Sequence, residues 1–379
     1  MLIVRIGAMG DVLHAMPAAA ALRQAHPEWE IGWVVEPRWL PLLRAGSAGA
    51  RGPEMPLVDR VYLAATRKWK REPFSGKTVA AIRSLVGGLR RERFDVCVDM
   101  QGAIRSAVIG RFAAAGRFVG PAEPRERQAQ WLYSERVQTV TRHVVEQGCE
   151  LLGAAVGERL APAEVPLPVD ATAESACSAL LARLPHRGRF AVIAASAGWG
   201  AKQWPAERYG AVAKELSDAG YGVVVNAASH DDVLAQRVVE TSGGRAVAVH
   251  ASLAQLIALT RRASVVIAGD TGPLHLAAAL GRPVVGIYGP TDPARNGPYG
   301  TEARVLRHVS SRTDHSRYMA AEAGLLEITP EEVIEAALEL LETHPENSEP
   351  LSRREDKADS PSTSLRASSS GITTERPSF

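Results

Sequence analysis

Short apolar runs separated by helix-sized stretches recur along the chain, and this spacing predicts parallel β/α units. Leu2–Ile6 reads as a strand, Gly7–Gly10 as a loop, and the alanine-rich segment after Asp11 as a helix. Ile31–Val35 and Phe94–Met100 are further strand-like runs. Near residue 160 the alternation pauses: Pro162, Pro166 and Pro168 share one stretch without periodicity, which reads as a linker. It then restarts, with strands at Phe190–Ala195, Tyr221–Asn226, Ala263–Ala268 and Pro283–Tyr288. Helices are predicted over 206–219 and Leu274–Leu280. Thr329-Pro330-Glu331-Glu332 has the form of a capping box, followed by an apolar stripe at Ile334, Ala337, Leu338 and Leu341. Beyond His344 the chain is rich in Ser, Pro, Arg and Glu, a composition that reads as disordered. No repeat of solenoid period is present.

These elements divide the chain into a Rossmann-like domain over 1–163, a second over 164–328, a C-terminal helix over 329–344 and a tail over 345–379. Two β/α domains on a proline-bearing linker leave a cleft between them, where ligands favour binding. The composition is that of a globular protein, 46% hydrophobic and 23% charged over 379 residues. A net charge of +2 argues against a dedicated nucleic-acid binder. Cys97, Cys149 and Cys177 lie far apart, so neither a disulfide framework nor a cysteine zinc site is indicated, and a reducing compartment is the simplest reading. No apolar run is long enough to span a bilayer, and Arg5, Asp11 and His14 interrupt what would have to be a signal sequence. The expectation is a cytoplasmic protein that meets a membrane only at its surface. The charge is uneven, however. Between Arg51 and Arg93 eleven basic residues stand against four acidic ones, densest at Arg67-Lys68-Trp69-Lys70-Arg71. Such a segment suits an anionic headgroup or a phosphorylated acceptor, or is simply a solvated helix face.

Three turns after predicted strands hold the residues suited to chemistry. In Gly7-Ala8-Met9-Gly10-Asp11 small residues let a ligand approach the backbone. The turn is neither a Walker loop nor G-x-G-x-x-G, which weighs against a dehydrogenase. Asp11 is open between a helix cap and a general base facing the cleft. Ser196 to Pro205 combines a hydroxyl, glycines and Lys202 ahead of a helix, a set suited to a diphosphate. Gly269 to His275 opens a helix, so amides, the Thr271 hydroxyl and the positive helix end meet at one point. There Asp270 would repel phosphate but accept hydrogen bonds from sugar hydroxyls, while His275 is open between a buried structural ring and a site residue. No G-x-S-x-G elbow is present, so serine hydrolysis is not indicated.

The opening LIVRIGAMGDVLHAMPAAAALRQAHPEWEIGWVVEPRW, then VDMQGAIRSA, AKQWP and AGDTGPLHLAAALGRPVVGIYGPTDP, resembles in order the bacterial lipopolysaccharide heptosyltransferases of glycosyltransferase family 9, and most its type I branch. The resemblance runs to about residue 342 and excludes the tail. It implies a GT-B fold, an α/β architecture of two Rossmann-like domains facing a central cleft. It also implies inverting transfer from ADP-L-glycero-β-D-manno-heptose to the Kdo of Kdo2-lipid A, with no cofactor and no metal. The enzyme would work as a peripheral protein at the cytoplasmic face of the inner membrane.

By position, the resemblance makes Asp11 the catalytic base. On the donor side it places Ser196, Lys202, Asp270, Thr271, Gly272 and His275, with Asp231 where the family has a glutamate. On the acceptor side it places Gly10, Arg67, Lys68, Lys70, Arg71, Arg125 and Arg105, the last replacing the usual lysine. Three other readings share parts of the pattern. One is a family 9 enzyme acting elsewhere in the glycan, such as the type II branch. Another is a sugar-nucleotide epimerase on the same fold. The third is a non-catalytic nucleotide-sugar or lipid-binding module, which the presence of both Asp11 and Lys202 weighs against.

Overall fold

The computed structural model describes residues 1–46, 48–184, 188–314 and 319–343; the tail expected from residue 345 lies outside them. The N-terminal lobe runs β1 (Leu2–Val4), α1 (Met9–Ala25), β2 (Gly32–Val35), β3 (Arg60–Leu63), α2 (Thr66–Arg71), α3 (Gly76–Arg91), β4 (Val96–Asp99), α4 (Ile104–Phe112), β5 (Arg117–Pro121), β6 (Glu135–Val137) and α5 (Val144–Val156). The C-terminal lobe opens with α6 (Ala171–Leu181), β7 (Phe190–Ala194), α7 (Ala206–Asp218), β8 (Gly222–Asn226), α8 (Val233–Thr241), β9 (Ala246–Val249) and α9 (Leu253–Arg262). It continues with β10 (Val265–Gly269), α10 (Gly272–Ala279), β11 (Val284–Tyr288), α11 (Pro293–Asn296), β12 (Ala303–Arg307), α12 (Ala323–Glu327) and α13 (Pro330–Thr343).

Each lobe holds a six-stranded sheet, and both have one topology. The orders are β3-β2-β1-β4-β5-β6 and β9-β8-β7-β10-β11-β12, parallel throughout. This is the doubly wound order, which reverses direction between β1 and β4 and again between β7 and β10. Loops leaving the carboxyl ends of those strands part there and leave a crevice for ligands.

The period-2 alternation of the strands explains the layering. Ile3 and Val98 pack against α1 and α5, while Leu2, Val4 and Cys97 pack on the opposite face against α3 and α4. In the second sheet Ile193, Val225 and Ile267 face α7 and α13, whereas Val192, Val224 and Val266 face α6, α9 and α10. Five strands escaped the sequence reading: β3, β5, β6, β9 and β12. Four of these are short, partly exposed edge or near-edge strands carrying Arg or Glu or alternating with exposed positions. Charge on an edge blunts unwanted pairing and also erases the apolar signal. The fifth, β5, ends in Gly120 and Pro121, which read as a turn.

The segment expected as a linker has no regular structure, but it is tied down. The Ala163 N–H donates to Pro17 O, Arg261 donates to Pro168 O, and Val165 and Leu167 are buried. The core of the N-terminal lobe continues across the junction to Leu256, Ile257 and Leu276 of the other lobe. Of the expected stripe on α13, Ala337 and Leu341 are buried, joined by Val333, Ala336 and Leu340, while Ile334 and Leu338 lie at its margin. The helix is rotated so that its small residues sit against α7 and the sheet.

Candidate active site

The candidate residues converge because they leave the carboxyl ends of switch-point strands. After β1 the chain turns into α1, where Asp11 occupies the third helical position. Its Oδ2 accepts the Ala8 N–H at 3.0 Å, and its Oδ1 lies 3.2 Å from an Arg5 guanidinium nitrogen. Arg5 also donates to the Asp11 and Met100 carbonyls, which bonds the β1 loop to the β4 loop. Burial works to raise the Asp11 pKa. Arg5, the Ala8 N–H, Arg125 and Gln101 outweigh it, so the carboxyl is held below its ordinary value. Asp11 is therefore both a helix cap and an ionised carboxylate in the cleft, and the two readings left open by the sequence are compatible.

The VDMQGAIRSA stretch supplies the scaffold for this loop. Gln101 Oε1 accepts the Ile6 and Gly7 N–H groups at 3.1 Å each. Asp99 is fully buried and accepts from the Gln101 and Gly102 N–H groups, the Ser106 hydroxyl and the Tyr133 hydroxyl. Burial raises the Asp99 carboxyl above its ordinary value despite these donors. Sequence reasoning took only Arg105 from this motif. Its signal, two buried polar types beside a glycine, was present but carried no local indication of what they held.

In the C-terminal lobe Lys202 ends a short turn after β7 and pairs with Asp270, which follows β10. His275 Nε2 lies 3.0 Å from the other Asp270 oxygen. Burial would raise the Asp270 pKa, but His275 and Lys202 hold it well below the usual carboxylate range. Thr271 caps α10 without a side-chain bond to its amides, and Pro273 has no N–H to satisfy, so no side chain caps the positive end of this helix. Ser196 donates to Asp232 at 2.9 Å, and Asp232 caps α8 and accepts the Ala228 N–H. The structure thus joins Asp232 to Ser196 and leaves Asp231 exposed on the same loop.

The two lobes meet at the helix N-termini. A Cβ at Gly10 would lie 2.9 Å from His275 Cδ2, and one at Gly272 would lie 2.5 Å from Met9 Sδ. Only glycines allow α1 and α10 to approach this closely, and His14 of α1 meets His275, which is bonded to Asp270, at this junction. Arg67, Lys68, Lys70 and Arg71 are exposed on α2, which follows β3 and is anchored through Glu36 to the Thr66 hydroxyl and the Arg67 N–H. Arg105 is exposed at the start of α4. Arg125 is exposed after β5, close enough to Asp11 to lower its pKa. Among the described residues no group of three or more His, Cys, Asp or Glu is placed to hold a metal ion.

Two sheets of one strand order, with facing switch points that carry helix N-termini, cations and carboxylates, define a GT-B glycosyltransferase architecture. The chain belongs to glycosyltransferase family 9, the heptosyltransferases, whose sequence profile matches residues 82–323. It is 30% identical to lipopolysaccharide heptosyltransferase 1 of Escherichia coli K12, over 81% of this chain and 92% of that one. The structure of E. coli heptosyltransferase WaaC with ADP-2-deoxy-2-fluoro heptose superposes with a TM-score of 0.68 at 28% identity, covering 89% of this chain and 98% of that one. E. coli lipopolysaccharide heptosyltransferase 2 is 35% identical over a shorter stretch, 37% of this chain and 43% of that one.

Proposed function

We propose that this glycosyltransferase moves L-glycero-D-manno-heptose from its ADP-activated donor to the Kdo of Kdo2-lipid A, in an inverting step of lipopolysaccharide inner-core assembly. What supports this reading is the close meeting of α1, which carries Asp11, with α10, whose first turn follows the Lys202–Asp270 pair. Similarity along most of the chain to a type I enzyme, against a shorter match to a type II enzyme, favours Kdo as the acceptor.

In this reading Asp11 accepts the proton of the acceptor hydroxyl as its oxygen bonds to the anomeric carbon. The bond from that carbon to the ADP oxygen breaks, and negative charge passes to the diphosphate. Lys202 and the Thr271–Gly272 end of α10 receive that charge where it develops, each such donor supplying about 3 kcal/mol by analogy with an oxyanion hole. Lysine has three N–H groups, so Lys202 can serve the diphosphate while Asp270 holds it. Asp270 and His275 orient the heptose, and Ser196 with the Asp231–Asp232 loop lies on the nucleotide side. Gly10, Arg105 and Arg125 face the acceptor sugar, and Arg67, Lys68, Lys70 and Arg71 meet its acidic groups. Charge neutralisation by these groups stands in for a metal. No helix among the described residues is long and apolar enough to cross a membrane. The exposed basic α2 then marks the face by which the enzyme would work at the cytoplasmic surface of the inner membrane.

The test is to incubate the protein with ADP-L-glycero-β-D-manno-heptose, with and without deacylated Kdo2-lipid A, and to follow ADP release and product mass. Acceptor-dependent ADP release with one heptose added is expected. Release only with an already heptosylated core would move the acceptor to the type II reaction. Failure to bind the donor would overturn the assignment of the Asp270–His275 turn.

A further inference from the structure

Three histidines line the junction of the lobes, and of these only His275 has a place in the displacement just described. His14 lies on α1, one helical turn beyond Asp11. Its Nε2 is 3.1 Å from His275 Nδ1, and the two ring centroids are 4.2 Å apart. His143 stands edge-on to His14. The tautomers follow from the partners. A carboxylate only accepts, so His275 Nε2 carries the proton shared with Asp270 Oδ1. With its proton at Nε2 alone, His275 presents a bare acceptor at Nδ1, and His14 Nε2 is then the donor. Next to them the Val145 N–H donates to His143 Nδ1, so His143 Nε2 carries its proton and donates to Gly297 O of the other lobe. Arg142–Asp292 and Tyr299–Glu146 run parallel to it.

We infer that His14 is a positioning residue for heptose transfer: it donates across the cleft to His275, fixes the His275 Nε2–H that holds Asp270, and thereby keeps the helix carrying Asp11 in register with the donor turn. The inference rests on the proposed transfer for its kinetic consequence but not for the link itself. The hydrogen bonds run in order from His14 to His275 to Asp270, and Lys202 closes the carboxylate from its other side. ADP would bind the C-terminal lobe whether or not this link exists. Transfer needs both lobes in register, and small misplacements of reacting groups are costly. His14 therefore acts on turnover and not on nucleotide affinity.

The test compares His14→Leu with His14→Gln, both near the size of histidine; only glutamine places an N–H donor where Nε2 stood. We expect His14→Leu to lower kcat at least about tenfold, the low end for a misplaced catalytic array. ADP affinity measured by calorimetry should stay unchanged, and His14→Gln should restore kcat to within about threefold, since a donor to His275 remains. Wild-type kcat in His14→Leu, or an equal loss in both variants, would overturn the inference. Long-range 15N imidazole spectra of the wild-type protein read the link directly. His14 and His275 should both be Nε2–H tautomers, and a His275 protonated at Nδ1 alone would overturn the inference even if a variant failed to fold. These spectra and the ADP titration do not depend on the sugar transferred, so a wrong donor or acceptor would show as absent wild-type turnover and leave the link separately testable.

Discussion

Asp11 does two jobs with one carboxylate, and the difference between them can be measured. As a cap it accepts the Ala8 N–H, and as an ion it pairs with Arg5. Asparagine retains an acceptor oxygen for the cap but cannot take a proton from an attacking hydroxyl. We therefore expect Asp11→Asn to lower kcat by about 10²–10⁴-fold, the usual worth of a general base. The loss of the Arg5 pair should lower stability by only about 1 kcal/mol. Single-turnover assays beside thermal melts separate the two; an Asp11→Asn enzyme with undiminished turnover would leave Asp11 as a cap alone. The position of Asp11 was legible because a glycine turn after a strand announces itself locally. Asp99 and His14 were not, because their partners are remote: Tyr133 lies 34 residues from Asp99, and His275 lies 261 residues from His14. A buried polar network reads, in sequence, as isolated polar residues inside apolar runs.

Among the elements, α13 shows which signals survive without tertiary context. Its start was legible from chemistry confined to four residues. The Glu332 N–H donates to the Thr329 hydroxyl at 3.3 Å, and the Thr329 N–H donates to the Glu332 carboxylate at 2.7 Å. Thr329→Ala should cost about 1 kcal/mol, typical of a lost N-cap. The measurement is the urea midpoint followed by far-ultraviolet circular dichroism; Trp204, buried beside the cap, donates to Ile328 O just before the helix. An unchanged midpoint would mean that packing of Leu340 and Leu341 alone defines the helix. Where the stripe lies around α13 was less legible than its period. Helical spacing shows that a face is buried, but whether Ile334 and Leu338 or Val333, Ala336 and Leu340 join Ala337 and Leu341 on it is decided by the shape of α7 and the sheet. The edge strands fail to announce themselves for a related reason, since Arg and Glu on β6 and β12 keep them from pairing outward.

Across the whole molecule, the two-lobed plan was legible because the strand–helix alternation stops and restarts. How the lobes lock together was not, because the polar links across the cleft among the described residues join distant parts of the chain. That seam also makes stability depend on acidity. Burial, His275, His143 and Arg5 hold His14 well below its ordinary value of 6.5, against the pull of Asp270, and burial lowers His143 as well. A histidine kept neutral in the fold but free to charge when unfolded makes the unfolded chain bind more protons below 6.5. Stability must then fall as pH drops from there towards the folded pKa, by up to about 1.4 kcal/mol per pH unit for each such group. Asp11 and Asp270, lowered in the fold, contribute above their ordinary value of 3.8 and lose that contribution only below it. Asp99, raised above 3.8, works the other way and gains stability on acidification. Comparison of His14→Gln with the wild type cancels the carboxylates. Urea midpoints measured from about pH 7 to about pH 5 should fall less steeply in the variant, by at most one proton's slope. Parallel curves would show that His14 charges as freely in the fold as in the open chain. In that case acid would leave the seam intact, and the lobes would be held mainly by Leu256, Ile257 and Leu276 packed into the N-terminal core.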